Sequence, residues 1–213
     1  MTINVLIVDD HMVIAEGLRY LIDAQADLAV VGYVSDGREA LHKVTELMPD
    51  VVVMDIAMPE LNGIEATHLI HERWPDKQIV ILSMHSNQEY VLRALQAGAR
   101  GYVLKKNAAD EVLTAIRAVH SGQRFLSRQI TESVIDEYLR GGNDDPLDAL
   151  SSRERQVLQL LVESKSTNVI AELLALSPKT VETYRARIMQ KLDIGDMPSL
   201  VKFAIQRGVT TVE

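Results

Sequence analysis

The chain contains no cysteine, which excludes disulfides and thiolate metal sites and is compatible with a reducing cytosol. It also lacks any apolar run long enough to span a membrane. The N-terminus reads MTINVLIVDD, one six-residue apolar run with two acids directly behind it, too short and too acidic for a signal peptide. A cytoplasmic protein without membrane partners is expected. Basic charge is scarce and unevenly placed. Residues 1–150 carry 13 Lys and Arg against 23 Asp and Glu, a net of −10; residues 151–213 carry 9 against 7, a net of +2. An acidic front and a mildly basic back point to two domains with different partners. The small basic excess does not by itself establish nucleic-acid binding.

What is present is ordered. Short apolar runs lie at Ile3–Val8, Leu28–Tyr33, Val51–Met54, Ile79–Leu82 and Tyr102–Leu104. They are near-continuous rather than alternating, as expected when helices cover both faces of a sheet. The stretches between them carry apolar residues at helical spacing, such as Ala40, Leu41, Val44 and Leu47. This alternation predicts a doubly wound, five-stranded parallel α/β sheet closed by a helix near Ala108–Ser121.

Four of the runs end in polar residues of a chosen kind: Asp9 and Asp10, Asp55, Ser83, and Lys105. In parallel strands these converge on one sheet edge, where open α/β sheets bind their ligands. Mg²⁺ takes hard oxygen ligands, so the carboxylates suit it. Transfer of a phosphoryl group needs cations around its spreading charge, and Lys105 with the metal would supply them. Asp55 is the candidate nucleophile, forming an acyl phosphate. An acidic pair or a lysine after a single strand is ordinarily solvated surface; four matching strand ends in order outweigh that reading.

Gln129–Arg140 predicts one more helix, and the GGNDDP stretch at 141–146 reads as a hinge. The domains are therefore drawn at 1–121 and 150–213, with 122–149 as linker. Beyond Ser151 there are no strands. A capping box, Ser151 with Glu154, opens a helix to about Glu163, and a short helix follows Ser166. Ser177-Pro178 starts a longer helix to about Leu192, and a last one runs from about Pro198 to Gln206. Together these make a small all-α, four-helix unit containing a helix-turn-helix.

The third helix carries an apolar stripe at Val181, Ile188 and Leu192. Its other face holds Lys179, Glu182, Thr183, Ala186, Arg187 and Gln190. Lys179, Arg185, Arg187 and Lys191 against Glu182 give it a net +3. A helix of this size fits the major groove. On charge alone, a solvated basic face is the stronger reading.

The front motifs are Val8-Asp9-Asp10-His11, Met54-Asp55-Ile56-Ala57-Met58-Pro59 with Asn62-Gly63, Leu82-Ser83-Met84-His85 and Gly101-Tyr102-Val103-Leu104-Lys105. Over residues 3–121 the chain resembles the receiver domain of two-component response regulators, a flavodoxin-like fold. The resemblance implies that a histidine kinase phosphorylates Asp55. It also implies that Asp9 or Asp10, with Asp55 and the Ala57 carbonyl, holds Mg²⁺, and that Lys105 binds the phosphate. Ser83 and Tyr102 become switch residues: Ser83 drawn to a phosphate oxygen, Tyr102 rotating inward to remodel the face of the fourth helix and fifth strand.

Residues 150–208 resemble the LuxR-type helix-turn-helix domain of the NarL/FixJ family through LSSRERQVL at 150–158, IAE at 170–172, SPKTVET at 177–183 and RIMQKL at 187–192. This implies base contacts from Glu182, Thr183 and Ala186, and phosphate contacts from Lys179, Arg187 and Lys191, with Thr180 beside them. It implies promoter DNA as partner, dimerisation on paired half-sites, and RNA polymerase as a possible further partner. The chain departs from the family pattern at Asn168, which removes a charge, at Val169, which removes the acid of a capping box from Ser166, and at Tyr184.

The expected mechanism has the receiver covering the recognition helix or keeping the chain monomeric until phosphorylation shifts the balance. Two other classes compete. A phosphohydrolase would usually want a second acid two residues after its nucleophile, where Ala57 stands; an RNA-binding scaffold would not need Asp10, Ser83 and Lys105. His11 is read as structural, and His42, His68, His71 and His120 as surface.

Overall fold

The computed structural model describes residues 2–86, 88–131 and 145–210. Strands β1 (Ile3–Val8), β2 (Leu28–Val34), β3 (Val51–Asp55), β4 (Gln78–Ser83) and β5 (Gly101–Leu104) alternate with helices α1 (Met12–Asp23), α2 (Gly37–Leu47), α3 (Gly63–Arg73), α4 (Gln88–Gln96) and α5 (Ala108–His120). All pairings are parallel, and with Phe125–Leu126 as β6 the strand order β2-β1-β3-β4-β5-β6 switches direction at β1. The expected five-stranded sheet thus has six strands among the described residues. Phe125–Leu126 (β6) pairs with Gly101 and Tyr102, inside the stretch read from sequence as linker. Two residues are too few to show a strand period, and the unpaired backbone groups at the β5 edge recruit them.

The continuous apolar runs are explained by a core on each face. Alternate residues of one strand point to opposite sides. Leu6, Val8, Val52, Met54, Ile79 and Ile81 meet α2, α3 and α4 through Val44, Ile70 and Val91. Val5, Ile7, Val51, Val53, Val80 and Leu82 meet α1 and α5 through Leu18, Ile22, Ile116 and Val119. Each such side chain, taken fully out of water, contributes on the order of 1.5–3 kcal/mol.

Helices α6 (Ser152–Val162), α7 (Thr167–Leu173), α8 (Pro178–Lys191) and α9 (Met197–Gln206) form the second unit. Its core holds Val157, Leu158, Ile170, Val181, Ile188 and Leu200. The capping box forms as read: Ser151 accepts from the Glu154 N–H while the Glu154 carboxylate accepts from the Ser151 N–H. Ser177 caps α8 with Pro178 in its first turn, and Asp196 caps α9. Ser166 still accepts from the Val169 N–H, so only the returning half of that box is lost. Of the helix expected at 129–140, residues 128–131 are helical, and Ile130 is buried in the receiver core. Residues 132–140 and hinge residues 141–144 lie outside the described residues. Asp145 caps a short 3-10 helix, Pro146–Ala149, that places Leu147 in the second core.

The two units touch through polar side chains, among them those of α3, its cap residue and α6. Buried Gln159 accepts from the Asn62 N–H at 2.8 Å and donates to the Met58 carbonyl at 3.1 Å. Arg155 pairs with buried Glu65, and Arg38 donates to the Leu173 carbonyl.

Candidate functional site

β1 and β3 are neighbours, so their carboxyl ends bring Asp9 and Asp55 together, both buried. Lys105, directly after β5, reaches back between them: its Nζ lies 2.8 Å from Asp9 Oδ2 and 2.8 Å from Asp55 Oδ2. Asp55 Oδ1 accepts from the Ile56 N–H at 2.7 Å, and Asp9 Oδ1 from the His11 N–H at 2.8 Å. The loop after Asp55 folds tightly back on it. A Cβ on Gly63 would stand 1.8 Å from the Asp55 carbonyl oxygen, so only glycine allows this approach. Asn62 beside it caps α3. Exposed Asp10 closes the group at the rim.

Ligand atoms of Asp9, Asp10, His11 and Asp55 all lie within 4.8 Å of one another. The Nδ1 of His11 is 2.7 Å from Asp10 Oδ1, so a residue read as structural stands against the acids. Asp9 Oδ2 is buried, and among the described residues its partner is the Lys105 ammonium. Three carboxylates face one ammonium. This donor set is compatible with a divalent cation, which would offset their repulsion.

The electrostatics follow from this crowding. Burial pushes the Asp55 carboxyl up to about 6, the Asp9 charge adding to the effect, against the pull of Lys105. Burial alone would lower Lys105, but Asp55 and Asp9 outweigh it and hold the ammonium above its ordinary value.

Ser83 ends β4 and is buried; its Oγ accepts from the His85 N–H at 3.0 Å. Tyr102 donates its hydroxyl to the His85 carbonyl at 2.9 Å and is fully buried. The inward rotation expected of Tyr102 has no outward starting point here. Burial holds His85 below the usual imidazole value, and its ring stacks on Tyr90, centroids 4.4 Å apart. A cavity of about 530 Å³ opens beside the cluster, lined by Asp10, Ala57 and His85 on one side and by Glu163, Lys165 and Ile205 of the second unit on the other.

On α8, Lys179, Glu182, Thr183, Ala186 and Arg187 are all exposed, so the receiver does not cover this face as one expected mechanism required. The remaining assignments divide. Thr180 shares a hydrogen bond with the Ser177 hydroxyl at the cap, and Thr183 donates to the Lys179 carbonyl. Glu182 accepts from Thr167 at 2.8 Å, tying α8 to α7. Lys191, read as a phosphate contact, holds buried Glu154 at 2.6 Å and so joins α8 to α6.

Asn62, Glu65, Gln159 and Arg155 carry no mark in the sequence as contacts between the units. Their helical phase marks them as half-polar positions and carries no sign of a partner roughly a hundred residues away.

An acid-lined sheet edge crossed by one buried lysine, joined to a helical unit with an exposed basic helix, fits a phosphorylation-controlled DNA-binding regulator. Residues 5–117 match the response regulator receiver domain, and residues 148–204 match the bacterial regulatory proteins of the luxR family. The chain is 39% identical over 207 residues to the response regulator GacA of Pseudomonas protegens, covering 97% of each. It is 36% identical over 211 residues to the oxygen regulatory protein NreC of Staphylococcus haemolyticus, covering 96% of this chain and 97% of that one. Among solved structures, the two-component response regulator RcsB in complex with DNA aligns at a TM-score of 0.60 with 26% identity, over 95% of this chain and 98% of that one. The chain belongs to the NarL/FixJ family of response regulators. That family consists of transcriptional regulators and not enzymes, which sets aside the phosphohydrolase and the RNA-binding scaffold.

Proposed function

We propose that Asp55 is the residue phosphorylated by a sensor histidine kinase, and that Asp9, Asp10 and the Ala57 carbonyl join it in holding Mg²⁺. In this reading the phosphorylated chain binds promoter DNA as a dimer in the cytoplasm, where it engages RNA polymerase. The receiver is taken as 1–121 and the DNA-binding unit as 150–213, and the stretch 122–149 supports both, with Ile130 buried in the first core and Leu147 in the second. The observation that carries the reading is Lys105 bridging Asp9 and Asp55 at 2.8 Å each.

In the transfer, an Asp55 carboxylate oxygen forms a bond to phosphorus as the bond from phosphorus to the donor nitrogen breaks, and the imidazole leaves. Asp55 must be ionised to attack, which a value of about 6 permits at neutral pH. Bound Mg²⁺ would supply charge neutralisation for the phosphoryl oxygens. Lys105 moves its pairing from Asp55 to a phosphate oxygen, and the Ser83 hydroxyl turns to donate to another. On DNA, Lys179 and Arg187 anchor phosphates, while Thr183 and Ala186 face base edges. Asp55→Asn is expected to leave DNA affinity unmoved by a small-molecule phosphodonor such as acetyl phosphate that raises it in the parent. An undiminished response in that variant defeats the assignment.

A further inference from the structure

Beyond the α3–α6 contacts, the second unit is gripped at α4, and the grip falls on the residues that follow α9. Gly208, at φ +65°, sits on the Tyr90 ring so closely that a Cβ there would be 1.9 Å from it. Beside it, Arg207 pairs with Glu89, and Arg93 donates to the Arg207 carbonyl. Arg93 also lies 3.4 Å from Asp145, at the entrance to the second unit. Glu89, Tyr90 and Arg93 occupy the first two turns of α4, immediately downstream of the loop that leaves Ser83.

The same ring is tied to the phosphoacceptor. Tyr90 stacks on His85, and the His85 backbone uses both its polar groups on the proposed switch residues. Its N–H donates to Ser83 Oγ at 3.0 Å, and its carbonyl accepts from the Tyr102 hydroxyl at 2.9 Å. A Ser83 hydroxyl that swings toward a phosphate oxygen alters the group to which the His85 N–H is bonded. The peptide, the imidazole and the ring stacked on it are then free to shift together.

We propose that Tyr90 is the coupling residue of this regulator: it carries a change at Ser83 through the His85 stack to Gly208 and loosens the hold of α4 on the DNA-binding unit. This rests on the reading of Asp55 as phosphoacceptor. The restraint acts on where the unit is held, because the α8 face is uncovered while the units are docked. A fixed unit keeps the acidic receiver at one position relative to the duplex and prevents two copies from adjusting to paired half-sites.

Absence of cysteine makes the test clean, since Glu72→Cys and Lys202→Cys give the full-length chain one exposed labelling site on each unit. Energy transfer between the labels, DNA affinity, and affinity for trifluoroberyllate with Mg²⁺ as phosphoryl mimic are compared in the parent, in Tyr90→Leu, and in Arg207→Gln, which removes the pairing with Glu89. In the parent the mimic lowers energy transfer and raises DNA affinity. In Tyr90→Leu transfer is low without the mimic and DNA affinity is raised about tenfold. Because coupling is reciprocal, the mimic then binds about tenfold tighter; Arg207→Gln moves each quantity the same way by a smaller factor. A mimic-responsive parent whose two variants keep parental energy transfer overturns the coupling alone. Lowered transfer with unchanged mimic affinity also overturns it, reducing Tyr90 to a structural contact. A parent indifferent to the mimic overturns the Asp55 reading and the coupling with it.

Discussion

Replacing Asp55 by asparagine tests the electrostatics of the acid cluster through folding stability, independently of any phosphoryl transfer. The Asp55 carboxyl rises from 3.8 to about 6 because burial and the Asp9 charge disfavour its ionised form more than Lys105 favours it. A group raised on folding contributes its stability below the unfolded value and loses it as pH climbs through the folded one. At about 1.4 kcal/mol per tenfold, the ionised carboxylate costs about 3 kcal/mol at neutral pH relative to pH 4. Asparagine keeps the size and drops the charge, so the stability gap between variant and parent should widen by that amount across pH 4 to 6 and stay flat above. For a chain of this size the gain corresponds to a melting-temperature difference of about 6–12 °C at pH 7.5 that shrinks toward pH 4.5. The assay is thermal unfolding of both proteins in metal-free buffer across that range, then with Mg²⁺. Added Mg²⁺ should raise the parent and narrow the gap, because a cation offsets the crowded carboxylates. Parallel curves for parent and variant, with no dependence on pH, would refute this account of the cluster.

Two further predictions concern the DNA-binding unit. Arg187→Ala should lower the slope of log affinity against log salt by about 0.9, the share of one neutralised phosphate, as read from binding isotherms at several salt concentrations. Lys191→Met should leave that slope nearly unchanged and instead lower stability by about 1 kcal/mol in denaturant unfolding, since buried Glu154 loses its ammonium partner.

The strand ends and helix starts were legible because each is a local signal. An apolar run that stops at Asp9, Asp55 or Lys105 states its own boundary, and Ser151 with Glu154 or Ser177 with Pro178 spells out a cap within four residues. Parallel topology then converts separate strand ends into one site. β6 was not legible, since Phe125 and Leu126 form a strand only because β5 offers an open edge. The pairing of Lys191 was hidden for a related reason: position on a basic helix suggests phosphate and carries no sign of a carboxylate 37 residues away. The docking of Gln159 on Asn62 and of Gly208 on Tyr90 joins surfaces whose periodicity reports only the core of their own unit.

Because α8 stays bare while the receiver grips the other side, engagement of the two halves and contact with a chromosome are not rivals. On the reading proposed above, a protein awaiting its signal can already alight on DNA and slide along it through phosphate contacts alone. What the signal then changes is dwell time at chosen addresses and the company kept there, rather than arrival.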